Sequence, residues 1–299
     1  MQHRIGNRRP GVSLLEVLTA IFIMGVGMLA LLTLFPLGAL SMARAIKDDR
    51  AAVIAANAAA VANSFDLRND PAVVEAFTGS QPADPSLPST PVMVDPPFSQ
   101  IVKKLGENLP KSPGIPRVTA SFLGAMNSEA IARWFTFQDE IEFDTLGGVK
   151  GSPAVNRPGT YSIAYLIRRP RYATPELAEL SVIVYSLRAT ESPTAERTIV
   201  GTGPMTGEGS SLTFNYQNNL PAPAVPRPDI RKGTWIIDTT YNSVTQVMNG
   251  HVYRVENVLD SAPGEYTLEL DRPLKAVPQQ ITILEKAIAV IERGTSWKP

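Results

Sequence analysis

The stretch that decides the fold is Arg8-Arg9-Pro10-Gly11-Val12-Ser13-Leu14-Leu15-Glu16-Val17, which continues directly into an apolar segment that ends at Phe35. The residues up to Gly11 include several basic side chains and no acid, so this end is expected to stay on the cytoplasmic side of a membrane. From Val12 to Phe35 the only charged residue is Glu16. As a helix, these 24 residues would extend about 36 Å, enough to cross a hydrocarbon core of about 30 Å. The sequence therefore predicts a transmembrane helix over residues 12–35.

Two ordinary explanations account for only part of this pattern. A cleaved secretory signal has an apolar region of about 7 to 15 residues, which is shorter than this one, although Ala39–Ala43 offers small residues for cleavage. A plain membrane anchor explains the length and the basic flank. It gives no reason for a carboxylate five residues after Gly11, where a charge without a partner is costly. Glu16 is therefore the residue that separates the interpretations.

Gly11 followed by Val12-Ser13-Leu14-Leu15-Glu16 resembles the prepilin signature of type IV pilins and type II secretion pseudopilins. In that family a short basic leader ends in Gly, and the mature chain has an apolar first residue and Glu at its fifth position. Glu16 is the fifth residue if cleavage follows Gly11, whereas Val12 and Ser13 replace the more usual Phe or Met and Thr. The resemblance implies that the leader, residues 1–11, is removed, that Val12 is N-methylated, and that Glu16 serves subunit assembly.

The resemblance also implies a location and a set of partners. The chain would cross the inner membrane once, with a cytoplasmic N-terminus and a periplasmic or extracellular C-terminal region. Its partners would be a prepilin peptidase, other pilin or pseudopilin subunits, the inner-membrane assembly platform and membrane lipid. Cleavage would create an ammonium group on Val12, and a carboxylate buried in lipid is stabilised by such a cation from a neighbouring subunit.

These expectations describe a structural subunit and not an enzyme. It would assemble into a type IV pilus-like or type II secretion filament, and its large irregular head favours a minor subunit. The alternative is a membrane-anchored β-rich binding module that is not assembled into a filament. Replacement of Glu16 would separate the two.

Composition excludes several other classes of function. Lys plus Arg (28) equals Asp plus Glu (28), so no net charge favours nucleic acid, and none is expected as a partner. The absence of cysteine removes thiol chemistry, two histidines leave little room for a histidine metal site, and no nucleophile stands beside a base. The acidic group 139–144 could hold calcium, but a solvated strand face is the favoured explanation. No cofactor and no metal site are predicted.

Residues 36–69 are predicted to continue the helix as an amphipathic segment. Ile46, Val53, Ala60 and Leu67 recur every seven residues as its apolar stripe. Ten alanines between Ala43 and Ala62 suit close packing, on the protein's own sheet for at least half the segment or against neighbouring helices. Pro36 predicts a kink or a melted turn, and Asn69-Asp70-Pro71 predicts the end of the helix.

The rest of the chain reads as β structure after an irregular segment. Residues 70–126 are too rich in proline for a long helix or a regular sheet, residues 127–217 are predicted as an antiparallel β head, and residues 218–299 as a C-terminal β-subdomain. The predicted strands include Tyr161–Ile167, Leu180–Leu187 and, as one strand, Ile281–Ile291. Arg168, Arg169 and Arg171 between the first two fit a charged hairpin end better than a patch for DNA or phospholipid. The predicted class is α+β, a long helix followed by an antiparallel, pilin-like head.

Overall fold

The computed structural model describes residues 14–94, 115–121, 161–186, 196–200, 205–215, 229–262, 265–284 and 286–294. It divides into two compact units, residues 1–49 and residues 50–299. The predicted α+β class is confirmed, because one long N-terminal helix precedes sheets whose strands pair antiparallel with a single parallel exception among the described pairs. The acidic group 139–144 lies outside the described residues.

Helix α1 spans Leu14–Ser64 and continues through Pro36 without a break. Of the two outcomes expected at Pro36, the melted turn therefore does not occur. In the first unit, every described side chain from residue 14 to residue 49 is exposed. A helix that is apolar on all sides is suited to lipid or to a bundle of other helices. This part of α1 is long and apolar enough to cross a membrane.

In the second unit, α1 buries an alanine-rich face. The buried side chains are Ala51, Ile54, Ala55, Ala58, Ala59, Val61 and Ala62. They form one core cluster with the strand residues Ile163, Tyr165 and Val182. The hydroxyl of Tyr165 donates a hydrogen bond of 2.9 Å to the carbonyl oxygen of Ala58 inside this cluster. The alanine-rich helix thus packs on the protein's own sheet, which was one of the two predicted arrangements.

The predicted apolar stripe on this helix was wrong. Ile46 and Val53 are 45% and 43% exposed, and Ala60 is exposed as well. Leu67 is buried, but it lies in a 3-10 helix (Leu67–Asn69) beyond the end of α1. Alanines dominate the face toward the sheet because a small side chain lets the helix backbone approach it closely, whereas Ile46 and Val53 lie on other faces of the helix.

The predicted end of the helix at Asn69-Asp70-Pro71 was wrong, because α1 ends at Ser64 and this sequence begins a second helix. Helix α2 spans Pro71–Gly79, with Pro71 in its first turn and Asp70 as its N-cap. The Asp70 carboxylate accepts hydrogen bonds from the amides of Ala72 at 2.9 Å and Ser121 at 2.7 Å. Proline suits the first helical position because no intrahelical partner exists for an amide there. The sequence Asn69-Asp70-Pro71 therefore marks the start of α2 and not the end of α1.

Two sheets make up most of the second unit. The first sheet has the strand order β14-β4-β3-β1-β2 and the second β5-β13-β8-β11-β12-β7-β6, while β9 and β10 pair as a separate hairpin. The strands are β1 (Val92–Val94), β2 (Arg117–Val118), β3 (Tyr161–Arg168), β4 (Glu179–Ser186), β5 (Glu196–Val200), β6 (Thr206–Glu208), β7 (Ser211–Asn215), β8 (Trp235–Asp238), β9 (Tyr241–Asn242), β10 (Val247–Met248), β11 (Val252–Ala262), β12 (Glu265–Leu270), β13 (Gln280–Leu284) and β14 (Ala287–Gly294).

The segment with many prolines contributes to the first sheet. Strand β1 lies between β2 and β3, and its three apolar residues are fully buried. This strand was not predicted. It forms because the three residues after Pro91 contain no proline and can complete the backbone hydrogen bonds of a sheet.

The two faces of the first sheet are covered differently. The side chains of β3 alternate, so that Ile163 and Tyr165 join α1 and α2 in one core cluster. On the other face, Ala164 and Leu166 of β3 pack with Ile237 of β8 in the second sheet. A third cluster lies on the opposite face of the second sheet. The second unit is therefore layered as helix, first sheet and second sheet.

Strand pairing does not break at the predicted boundary, residue 218. Strand β7 pairs with β12, and β5 pairs with β13, so residues before and after 218 share the second sheet. Strand β14 instead returns to β4 in the first sheet. The predicted single strand Ile281–Ile291 was wrong, because it is divided into β13 and β14, which belong to different sheets.

The close contact between α1 and the first sheet gives a stability prediction. Replacing Ala58 with Leu is expected to lower the free energy of unfolding by about 1–3 kcal/mol, because the larger side chain must enter a packed core. The matched control is Ala60→Leu, two residues away at an exposed position, which is expected to change it by less than about 0.5 kcal/mol. Urea unfolding of the detergent-solubilised chain measures both, and equal effects would contradict the assigned helix face.

Candidate functional site

The structure places one of the three predicted site residues, Glu16. Its side chain is exposed in the first turn of α1, between the exposed apolar residues Leu15 and Val17. A carboxylate there also suits the partial positive charge of a helix N-terminus. The hydroxyl of Thr19 donates to the carbonyl oxygens of Leu15 and Glu16, each at 3.0 Å. Its hydrogen-bonding capacity as a donor is therefore satisfied within the helix. Gly11 and Val12 lie outside the described residues.

The apolar surface of α1 surrounds Glu16 and extends far beyond it. The apolar surface of α1 consists of the exposed large apolar side chains between Leu14 and Met42, most of which are more than half exposed. Such a surface is unstable in water, since a contiguous apolar patch of this size marks contact with lipid or with another protein. The surface can therefore insert into a bilayer and pack with similar helices.

This apolar surface is longer than a bilayer requires. No charged residue occurs from Val17 to Ala43, which at 1.5 Å per residue is about 40 Å of helix, against a hydrocarbon core of about 30 Å. The first charged residues after this stretch are Arg44, Lys47 and Asp48. A helix of this length fits a bilayer if it is tilted, or if the turns near Ala43 are covered by other helices.

The three arginines near the β3–β4 connection do not form a basic patch. Arg168 points to the second sheet and donates to His251. Arg169 is buried, with its guanidinium carbon 4.2 Å above the ring of Phe77. Arg171 is exposed. Because the side chains diverge, they offer no common surface for nucleic acid or phospholipid headgroups.

A buried polar cluster joins the two sheets, and sequence reasoning missed it. Arg168 Nη1 lies 3.2 Å from Nδ1 of His251. Asp238, 1% exposed, accepts hydrogen bonds from the side-chain amide of Asn249 at 2.8 Å and from the backbone amide of Thr240 at 3.0 Å. No sequence pattern indicates this cluster, because its members come from β3, the end of β8 and the start of β11.

Burial governs the ionisation of this cluster. It raises the pKa of Asp238, although hydrogen bonds from Thr240 and Asn249 and the charge of Arg168 oppose the rise. Burial, followed by the positive charge of Arg168, lowers the pKa of His251 to about 4. The imidazole is therefore neutral at physiological pH.

The described residues contain no group of three or more His, Cys, Asp or Glu side chains that could hold a metal ion. A cavity of about 280 Å³ lies between α1 and the ends of β4 and β14, and its lining residues are Ala56, Ala59, Ala60, Asn63, Leu180, Arg293 and Gly294. The residues that line this cavity do not pair a nucleophile with a base, as a catalytic centre without a metal would require.

Comparison with known proteins identifies only the N-terminal region. Residues 6–32 match the family model of the prokaryotic N-terminal methylation motif. No curated protein and no solved structure matches the chain at a significant level. The matched region contains Gly11, Val12 and Glu16 and runs into the apolar surface of α1. The match supports a pilin-like chain with a prepilin-type N-terminus, and the apolar helix that follows it supports anchorage in a membrane.

Proposed function

We propose that the protein is a minor structural subunit of a type IV pilus-like or type II secretion filament, cleaved after Gly11, N-methylated on Val12 and assembled through α1. The observation that carries the proposal is the direct continuation of the methylation motif, residues 6–32, into a helix whose described side chains are exposed from residue 14 to residue 49. A motif of this kind would be processed by a prepilin peptidase. The exposed helix then supplies the surface for assembly.

Assembly would remove the apolar surface of α1 from lipid and bury it against other subunits. Helices in lipid associate through van der Waals packing and through polar contacts between helices. Glu16 supplies the polar contact, because its carboxylate would pair with the ammonium that cleavage creates on Val12 of a neighbouring subunit. A single pair near one end of each helix would fix the axial position of one subunit against the next.

The exposed side chains Ile46 and Val53 extend the apolar surface beyond the first charges. Packing of neighbouring helices over this region would cover the part of α1 that exceeds the bilayer thickness. We further propose that the N-terminus is cytoplasmic, that the span crosses the inner membrane, and that the second unit is periplasmic or extracellular, in line with the basic, acid-free residues 1–11. The inner-membrane assembly platform would be the remaining partner.

A second candidate function is a membrane-anchored binding module that does not assemble. The observation that favours it is the second sheet, whose seven described strands are more than α1 needs for cover. In this case α1 would only tether the head.

Mass spectrometry of the protein extracted from membranes tests the processing step. The expected mature chain starts at Val12 and carries one methyl group on its amino nitrogen. The control is Gly11→Leu, which places a bulky side chain at the cleavage site and is expected to keep residues 1–11. A wild-type chain that starts at Met1, or beyond Ala39, would contradict the proposal.

A further inference from the structure

The contact between Arg168 and His251 fixes the protonation state of the histidine. Arg168 ends β3 in the first sheet, and His251 directly precedes β11 in the second. The guanidinium has only donors, so Nδ1 of His251, 3.2 Å from Nη1, must be the acceptor. The hydrogen of the neutral ring then lies on Nε2. A doubly protonated imidazole cannot make this contact.

The surroundings of His251 are mainly positive. Besides Arg168, the cations that act on it are Lys275 and Arg272 of the β12–β13 connection. The acids near Arg168 are Glu179, its cross-strand partner on β4, and Asp238 of β8, with the hydroxyl of Tyr253 on β11 completing the set of titratable groups. The Asp238 carboxylate is already engaged by Asn249 and Thr240. A proton on His251 would therefore be poorly compensated.

We propose that Arg168 and His251 form an acid-sensitive latch between the two sheets: the neutral ring accepts the hydrogen bond and holds the second sheet to the first, and the protonated ring repels Arg168 and releases this contact. The release is local, because the apolar cluster between the sheets contains no titratable side chain other than Tyr185. The ion pair between Arg272 and Glu292 of β14, at 3.0 Å, also continues to join the sheets.

The pH range follows from the two states of the ring. An unfolded His251 binds a proton near pH 6.5, whereas burial lowers the pKa of the folded ring to about 4. Between these values the unfolded chain holds more protons, so the stability of the fold falls as pH falls through this window. The raised pKa of Asp238 has the opposite effect. Because the folded chain keeps the proton of this carboxyl to a higher pH than the unfolded chain does, the stability of the fold falls as pH rises through the pKa of the buried group. A substitution at position 251 is needed to separate the two.

The test compares three forms of the full chain in detergent micelles: wild type, His251→Asn and His3→Asn. Asn places a neutral acceptor near the position of Nδ1 and cannot titrate, while His3 is the other histidine in the sequence. Urea unfolding is measured from about pH 4 to about pH 7.5. Relative to His251→Asn, the unfolding equilibrium constants of wild type and His3→Asn are expected to rise up to about tenfold per pH unit below pH 6.5. Parallel profiles for wild type and His251→Asn would overturn the latch.

The tautomer of wild-type His251 provides a second measurement, which tests the contact with Arg168 even if the Asn variant fails to fold. Nitrogen-15 chemical shifts are expected to show an unprotonated Nδ1 and a protonated Nε2 at neutral pH, with titration delayed to about pH 4. Backbone amide exchange, corrected for the intrinsic effect of pH, should then accelerate at β8 and β11 before it does at β3. A ring that titrates near its ordinary pKa, or that carries its hydrogen on Nδ1, would overturn the proposal.

Discussion

Replacing Glu16 with Ala is expected to abolish incorporation into filaments while leaving the protein in the membrane. If Glu16 pairs with the Val12 ammonium of a neighbouring subunit, its removal leaves that cation in an apolar environment without a partner. Breaking a buried ion pair in this way costs about 3–5 kcal/mol, which corresponds to at least about a hundredfold loss of incorporation. Membrane residence should not suffer, because removing a charge makes the span more apolar.

The measurement is the ratio of the protein in the sheared filament fraction to that in the membrane fraction. Glu16→Gln keeps the shape of the side chain without its charge and should fail like Glu16→Ala. Glu75→Ala is the matched control, since Glu75 is an exposed carboxylate on α2 of the second unit. Normal incorporation of Glu16→Ala would reject the assembly role and favour the anchored binding module.

Replacing Gly250 with Ala is expected to cause a large loss of stability in the second unit. Gly250 has a φ of 65°, and a Cβ there would lie 2.3 Å from Cγ of Pro91. The left-handed conformation costs about 1–2 kcal/mol for a residue with a side chain, and forcing a methyl group into a packed site adds about 1–3 kcal/mol. The Pro91 ring is rigid and leads directly into β1, so it cannot move aside cheaply.

Gly209→Ala separates these two costs. Gly209 has a similar φ of 58°, but among the described residues other than its chain neighbours no atom lies within 4 Å of the Cβ position. Urea unfolding should therefore show a loss of about 1–2 kcal/mol for Gly209→Ala and about 2–5 kcal/mol for Gly250→Ala. Equal losses would mean that the contact between Pro91 and Gly250 does not constrain the fold.

The parts of the fold that the sequence predicted well depend on local patterns. Helix α1 follows from an apolar run of bilayer length, and β3 and β4 follow from dense β-branched and aromatic residues within single segments. The observed ranges, Tyr161–Arg168 and Glu179–Ser186, differ from the predicted ones by a residue at one or both ends. Their antiparallel pairing was also predicted, and a short connection between adjacent strands makes that pairing the natural one.

The parts that failed depend on contacts between distant residues. The division of the segment 281–291 into β13 and β14 is decided by two different sheets, which the local β propensity does not distinguish. The sheet beneath α1 determines which face of the helix is buried, so Val53 was predicted on the apolar stripe but is 43% exposed. His251 contacts Arg168, which lies 83 residues earlier in the chain, and no spacing pattern in the sequence predicts such a pair.

Among the described residues, all strands of the second sheet lie between β4 and β14 in the chain. The chain leaves β4 after Ser186 and re-enters at β14, where Ala287 lies opposite Tyr185 and the amide of Ser186 donates to the carbonyl oxygen of Lys286 at 2.9 Å. The two ends of this long excursion therefore stand where a tight hairpin turn would join adjacent strands. The excursion can therefore vary in length without altering the order of the strands that support α1, but it cannot be lost, because Ile237 and Met248 cover the second face of the first sheet. Insertions at this junction can thus enlarge the head without changing the strands that pack on α1.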